Sequence, residues 1–212
     1  MTLKVLSDLE SKGWSHFSVR DINLDKLFHT LGHVIMENDV CINPKSPSLV
    51  TSAKALPPHT DHHLAHYILW HCIVQDSKGG HSIIVDGLDI FESMDQEIQE
   101  LLRSINLIEH SVFKNDLETH PMISSTSTGD RIYYSFWLAD EKLSEEQKRA
   151  FNVFNKAVRD TKQIRIRLKP DECLVVDNGR ILHGRSSLIK SSARLLKRYW
   201  IGDSFLEKVD NR

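Results

Sequence analysis

Cysteine is scarce in this chain. Cys41, Cys72 and Cys173 are the only three in 212 residues, far apart and with no C-x-x-C pair. That excludes a disulfide framework and a cysteine-built zinc knuckle, and it fits a reducing compartment. No apolar run approaches the roughly 18–20 residues of a membrane span. Met1-Thr2-Leu3-Lys4 leads to Asp8 and Glu10 rather than into the apolar centre of a signal peptide. An excess of one charge is missing as well: lysine plus arginine (27) nearly balances aspartate plus glutamate (29). Nucleic acid and anionic membrane both demand a concentrated basic field, so neither is an expected partner. Repeats, low-complexity tracts and long linkers are absent. The expectation is a cytoplasmic protein of one domain, residues 1–212, acting on a small molecule.

Histidine is plentiful. There are 12, and His59, His62, His63, His66 and His71 fall within thirteen residues. Around them, residues 3–12 read as an amphipathic helix stopped by Gly13, residues 14–19 as a strand, and 24–37 as a second helix striped by Leu27, Leu31, Val34 and Ile35. Asn43 to Pro47 reads as a turn. From there the pattern is mainly β. Residues 49–56, 67–74 and 82–85 are strands divided by Pro57-Pro58 and Gly79-Gly80, 88–105 a helix, and 107–113 and 131–137 strands around a Ser/Thr-rich loop. Ser144 with Gln147 marks a capped helix continued by Phe151, Phe154 and Val158. Residues 164–168, 174–177 and 194–201 complete the strands. Many short strands with few helices favour a jelly-roll core over about 48–202, with residues 1–47 as a helical and strand flank.

His59-Thr60-Asp61 follows the proline brake. In an extended segment residues two apart face the same way, so imidazole and carboxylate converge on one ion. A distant histidine, His183, falls in Val176-Asp177-Asn178-Gly179-Arg180-Ile181-Leu182-His183-Gly184-Arg185, read as a turn after a strand. Two histidines and one carboxylate make the facial triad of non-haem Fe(II) oxygenases, with three positions left open. Arg194 and Arg198 follow His183 at eleven and fifteen residues. Four apart, they share one strand face, opposite Leu195, Lys197 and Tyr199, and a planar guanidinium grips a carboxylate in two places.

These residues resemble a known family. His59 to Asp61 through Leu69-Trp70-His71-Cys72-Ile73-Val74-Gln75 and Gly79-Gly80-His81-Ser82-Ile83-Ile84-Val85-Asp86-Gly87, with Leu168 to Glu172 and Asp177 to Arg185, look like the core of the Fe(II)/2-oxoglutarate oxygenases that include taurine dioxygenase and γ-butyrobetaine hydroxylase. The likeness covers about residues 55–90 and 130–202. It implies a double-stranded β-helix holding Fe(II) through His59, Asp61 and His183. It places Arg194 on the distal carboxylate of 2-oxoglutarate, with Ser82 assisting, and Arg198 on an anionic substrate group. Tyr199 and Trp200 are offered as aromatic substrate contacts. The implied reaction consumes O2 and releases succinate and CO2 while hydroxylating an unactivated C–H of a small polar or amino-acid-like substrate. Asp61 favours hydroxylation, because halogenating relatives replace that carboxylate with a small residue. His62 stands where the γ-butyrobetaine enzyme carries an aromatic, so a trimethylammonium substrate is not expected. The short chain implies trimmed lid loops that admit a larger or carrier-bound substrate.

Two other readings compete. A zinc hydrolase of the H-x-H-x-D-H kind would use His59, Asp61 and His62, but needs histidine at position 57, where Pro57 stands. A non-catalytic barrel binding a small organic acid would be expected to have lost a ligand. The oligomeric state is not legible from these features.

Overall fold

In the computed structural model, which describes residues 2–46, 48–108, 112, 113, 116, 118–140 and 142–203, the amphipathic start forms as its pattern requires. Helix α1 (Thr2–Lys12) buries Val5 and Leu9, and β1 (Trp14–Ser18) follows. Helix α2 (Leu24–Leu31) begins on Asn23, whose side chain accepts the Lys26 amide. It does not run to residue 37 as its apolar stripe predicts. It ends at Gly32, where φ is 139°, and His33–Val40 forms β2. A side chain at Gly32 would put Cβ 2.5 Å from the Gly202 carbonyl oxygen, so only glycine lets the chain turn from helix into sheet there.

Next come β3 (Leu56–His59), β4 (Tyr67–Val74) and β5 (Ser82–Asp86). The strand predicted over 49–56 is present only at Leu56, because residues 49–54 make bends and turns. The helix predicted over 88–105 divides into α3 (Gly87–Glu92) and α4 (Gln96–Arg103). The break at Ser93-Met94-Asp95 falls on cap-forming residue types. Strands β6 (Asn106–Ile108), β7 (Thr119–Pro121), β8 (Ile123–Thr126) and β9 (Gly129–Ile132) form two hairpin-like pairs. Of the strand predicted over 107–113, residues 109–111 lie outside the described residues, as does Pro47 of the predicted turn. The strand predicted over 131–137 stops at Ile132. Beyond it Tyr134 is bound to Thr60 instead, amide to Oγ1 at 2.9 Å and carbonyl to amide at 2.7 Å. Helix α5 (Glu145–Asp160) carries the expected capping box of Ser144 and Gln147. The chain closes with β10 (Ile164–Ile166), β11 (Glu172–Asp177), β12 (Ile181–Arg185) and β13 (Leu195–Gly202).

Two antiparallel sheets make the jelly roll. One has the order β1-β11-β4-β13-β2 and the other β10-β5-β12-β3. Their facing sides supply the middle core: Ile68, Trp70, Cys72, Leu174, Val176, Leu196 and Trp200 from the first sheet, Ile84 and Ile181 from the second. Behind the first sheet, Leu69, Cys173, Val175 and Ile201 pack on Val5, Leu9 and Leu27 of α1 and α2. Behind the second, Ile83, Val85 and Leu182 pack on α3, α4 and α5 through Phe91, Leu102, Phe151 and Phe154. Strands covered on both faces read as continuous apolar runs rather than alternating ones. Among the described residues, no helix is long and apolar enough to cross a membrane.

Phe154 is fully buried where α5 meets the second sheet. Phe154→Ala is expected to cost about 3–5 kcal/mol in chemical unfolding. A cost below about 1 kcal/mol would contradict the packing of α5 as part of the core.

Candidate active site

Strand register brings the two histidines together. In the second sheet, β12 lies beside β3 with His183 directly opposite His59, so two residues 124 apart in the chain become cross-strand neighbours. His183 is therefore on a strand and not in a turn after one, as first read. Gly184 lets β3 pass close, since a Cβ there would sit 2.5 Å from the Leu56 carbonyl oxygen. The His59 and His183 rings lie 4.6 Å apart, centroid to centroid. Trp70 meets His183 edge-on at 4.7 Å, and Trp137 flanks His59 at 5.1 Å.

Asp61 lies past the end of β3, so His59 and Asp61 are not on one strand. Its position is fixed by other means. Asn178, in the turn between β11 and β12, accepts the Asp61 amide at 2.8 Å. Its amide nitrogen donates to the carbonyls of Asp61, His62 and Ala65 at 3.3, 3.2 and 2.8 Å. The carboxylate itself is divided in use. Oδ2 accepts Trp200 Nε1 at 2.8 Å and Arg198 Nη1 at 2.9 Å. Oδ1, also 3.1 Å from Arg198 Nη1, stands 3.8 Å from His59 Nε2 and 3.8 Å from His183 Nε2.

That spacing suits an ion. The three donor atoms are too far apart to bond one another, yet all lie within 4.8 Å. The His59 Nδ1–H donates to the Pro57 carbonyl at 2.9 Å, which turns the Nε2 lone pair toward the other two donors. Burial, reinforced by His183, pulls the His59 imidazole down to about 3, so at neutral pH it is uncharged. Burial pushes the Asp61 carboxyl up. Arg198, with His183 and His59, outweighs it and holds the group well below the usual carboxylate range.

A second set, His62, His63 and Asp116, also gathers two imidazoles and a carboxylate. Its geometry is different. His62 Nε2 stands 2.6 Å from Asp116 Oδ2, an ion-pair distance, and His62 Nδ1 accepts the Leu64 amide, which leaves the ring proton on Nε2. This is a direct imidazole–carboxylate contact. It also turns His62 away from His59 and Asp61, against the zinc-hydrolase reading.

Beside the triad lies a cavity between the two sheets. Arg185, Arg194 and Arg198 line it together with Ser82, Trp70, Leu174 and Leu196, and no carboxylate does. Arg194 is 3% exposed. Burial, with Arg185 nearby, lowers its guanidinium to about 10, still charged at neutral pH. Buried guanidiniums lining one cavity with His59 and His183 fit a short dicarboxylate. A larger cavity of about 460 Å³ opens on the other side of His59 and Asp61. Ser48, Leu49, Val50, Val112, Tyr133, Ser135, Trp137 and Trp200 form its walls, and Arg198 reaches both spaces.

The predicted site residues thus divide. His59, Asp61, His183, Ser82, Arg194 and Arg198 converge. Tyr199 does not: it lies on the opposite face of β13, its ring 5.0 Å from Phe28 and packed on the α2 side. Strand alternation sends Leu196, Arg198 and Trp200 inward and Tyr199 outward. Asn178 and Arg185 earned no role from the sequence, and Trp200, offered as an aromatic substrate contact, bonds Asp61 instead. The parity of Trp200 with Arg198, and of Arg185 with His183, was the signal that would have placed those two.

A jelly roll that aims two histidines, a carboxylate and buried arginines into its interior is the build of a non-haem iron oxygenase. Residues 24–200 match the profile described as "Taurine catabolism dioxygenase TauD, TfdA family", and the chain belongs to that family. No curated protein sequence matches it. Among solved structures it is similar to an asparagine oxygenase in complex with Fe(II), 2S,3S-3-hydroxyasparagine and succinate (TM-score 0.76, 13% identity, 95% of this chain and 78% of that one). It is similar also to the non-heme iron oxygenase OrfP with Fe and alpha-ketoglutaric acid (0.71, 15%, 95% and 78%). A third is AAD-2 with Mn(II) and N-oxalylglycine (0.71, 14%, 97% and 88%). At these identities the likeness establishes the shared fold.

Asn178→Ala removes the bond to the Asp61 amide and strands three carbonyls. Metal affinity is expected to fall about 10- to 100-fold, with a stability loss of about 1–3 kcal/mol, read by metal titration and chemical unfolding. Unchanged metal affinity would show that Asn178 does not set the Asp61 position.

Proposed function

We propose that this protein is an Fe(II)/2-oxoglutarate-dependent dioxygenase that hydroxylates a C–H bond of a small polar substrate. The observation that carries the reading is the juxtaposition of the His59, Asp61 and His183 donors, spaced for one ion, with a cavity whose charged lining is arginine only. The balance is R–H + 2-oxoglutarate + O2 → R–OH + succinate + CO2. Iron, when bound, supplies the O2 chemistry and the two-electron oxidation of the C–H bond.

The chain's own residues do the positioning. His59, Asp61 and His183 would occupy one face of the ion and leave the other for co-substrate and O2. Arg194, with Ser82, would hold the far carboxylate of 2-oxoglutarate, which fixes the keto-acid end toward the ion. Trp200 and Arg198 keep Asp61 ionised and oriented. Trp70 and Trp137 press the imidazoles from the sides and keep water from their edges. The prime substrate would enter the larger cavity, whose aromatic and hydroxyl walls fit a compact body with a few polar groups. Arg198, the one charged group apart from Asp61 on that lining among the described residues, would meet an anionic substituent. The neighbours whose structures hold 3-hydroxyasparagine and (3S)-hydroxy-L-Arg support an amino-acid-like substrate.

The protein with Fe(II), 2-oxoglutarate and O2 is expected to release succinate slowly without prime substrate and faster when a substrate screen finds one. Arg194→Gln is expected to raise the KM for 2-oxoglutarate about 10- to 100-fold, the size of a lost charge-assisted bond pair. No succinate at any iron level would overturn the reading in favour of a binding protein.

A further inference from the structure

Arg185 is built into the cofactor-side cavity in a way that the reaction scheme does not explain. It sits two residues after His183 on the same face of β12 and is 5% exposed. Its guanidinium fork points away from the triad into the 48–54 segment: Nη1 donates to the Val50 carbonyl at 3.4 Å, and Nη2 to the Ser52 and Lys54 carbonyls at 2.6 and 2.7 Å. Of its two remaining N–H donors, Nε–H is buried with no partner among the described residues. The residue lines the same cavity as Arg194 and Ser82.

The neighbouring carboxylate is Asp76, and it is already engaged by the amides of Lys78, Gly79 and Ile189. Three carbonyl oxygens are dipoles, so they leave the Arg185 charge uncompensated, and a buried donor left unmade costs about 1–3 kcal/mol. A carboxylate entering the cavity removes that cost.

The other end of Arg185 bears on the substrate. Residues 48–54 carry no strand ladder, and Ser48, Leu49 and Val50 form part of the wall of the larger cavity. Besides Arg185, backbone bonds from Asn43 to Thr51 and from Leu188 to Ala53 tie this segment to more distant chain among the described residues, its other bonds being local ones within residues 46–54. A segment with so few ties has a low opening free energy.

We propose that Arg185 is a positioning residue that couples the co-substrate to the substrate wall. A carboxylate of the bound dicarboxylate takes Nε–H, the guanidinium is fixed, and the carbonyls at 50, 52 and 54 are held with it. The wall is then ordered in the co-substrate-bound protein and loose without it. By linkage, an ordered wall tightens the co-substrate in return. The proposal rests on reading the arginine-lined cavity as the dicarboxylate site.

Hydrogen exchange of the 48–55 segment tests it in protein loaded with Mn(II), with and without saturating 2-oxoglutarate, alongside 2-oxoglutarate affinity by calorimetry. In wild type, exchange in this segment is expected to slow at least about tenfold on co-substrate binding, a coupling of about 1.4 kcal/mol. Arg185→Lys keeps the charge but has neither the fork nor Nε–H. It is expected to bind 2-oxoglutarate within about tenfold of wild type while the segment stays unprotected. Bound 2-oxoglutarate with no slowing in wild type overturns the coupling, whatever the variant does. Equal protection in Arg185→Lys overturns the role of Arg185. Failure of the wild type to bind 2-oxoglutarate at all overturns the dicarboxylate reading itself, a separate outcome seen in the calorimetry.

Discussion

The site depends on one strand pairing. His183 faces His59 across β12 and β3 because the ladder is in that register and no other. A slip of one residue would turn Leu182 or Gly184 to the same place and send the imidazole to the helix-covered side. The register is held from both faces. Ile83, Val85 and Leu182 are locked under α3, α4 and α5, while Ile84 and Ile181 lock into the space between the sheets. Helices packed behind the second sheet thereby set the distance between two imidazoles. Asn178 does the same for the third, as a single amide side chain meeting four backbone groups of the 61–65 segment.

Electrostatics give the interior its purpose. Arg185, Arg194 and Arg198 all lie below 9% exposure, and so does Asp61. Burying charge is costly unless each charge meets a partner. Arg198 and Asp61 meet each other, which keeps the carboxylate ionised and presents its free edge to the histidines. Arg194 has only the Gln75 side-chain oxygen at 3.2 Å among its bonded partners, and Arg185 only carbonyls. An interior with two such cations fits a dicarboxylate. The same apolar walls that make the cations expensive make the anion's binding strong. The second histidine–carboxylate cluster shows the contrast: there donor and acceptor already touch, and the group is complete in itself.

Much of this was legible in the residues, and the failures have physical causes. His59, Asp61 and His183, which the fold gathers, were singled out because metal chemistry restricts residue type, although the same-strand argument for His59 and Asp61 fails, since Asp61 lies past the end of β3. Arg194 and Arg198 followed from strand parity, and the same parity should have excluded Tyr199, which was favoured for its chemistry against its geometry. The helix over-extended to residue 37 because Val34 and Ile35 satisfy a helical stripe and a strand face alike. Only the close approach of Gly32 to Gly202, a tertiary fact, decides between them. Residues 49–54 look like a strand from composition, yet they are held as turns by Arg185, 131 residues or more away. Asn178 acts through contacts with distant backbone, which no local pattern announces.

The central claim is that one ion is held by His59, Asp61 and His183 with half of its surroundings left open. Crystals grown with Mn(II) and an unreactive 2-oxoglutarate analogue test it most directly. The account expects a single anomalous peak per chain about 2–2.3 Å from His59 Nε2, His183 Nε2 and an Asp61 oxygen, with the analogue on the opposite side reaching toward Arg194. A peak at His62, His63 and Asp116 instead, or three triad side chains free of metal while the analogue is bound elsewhere, would contradict it.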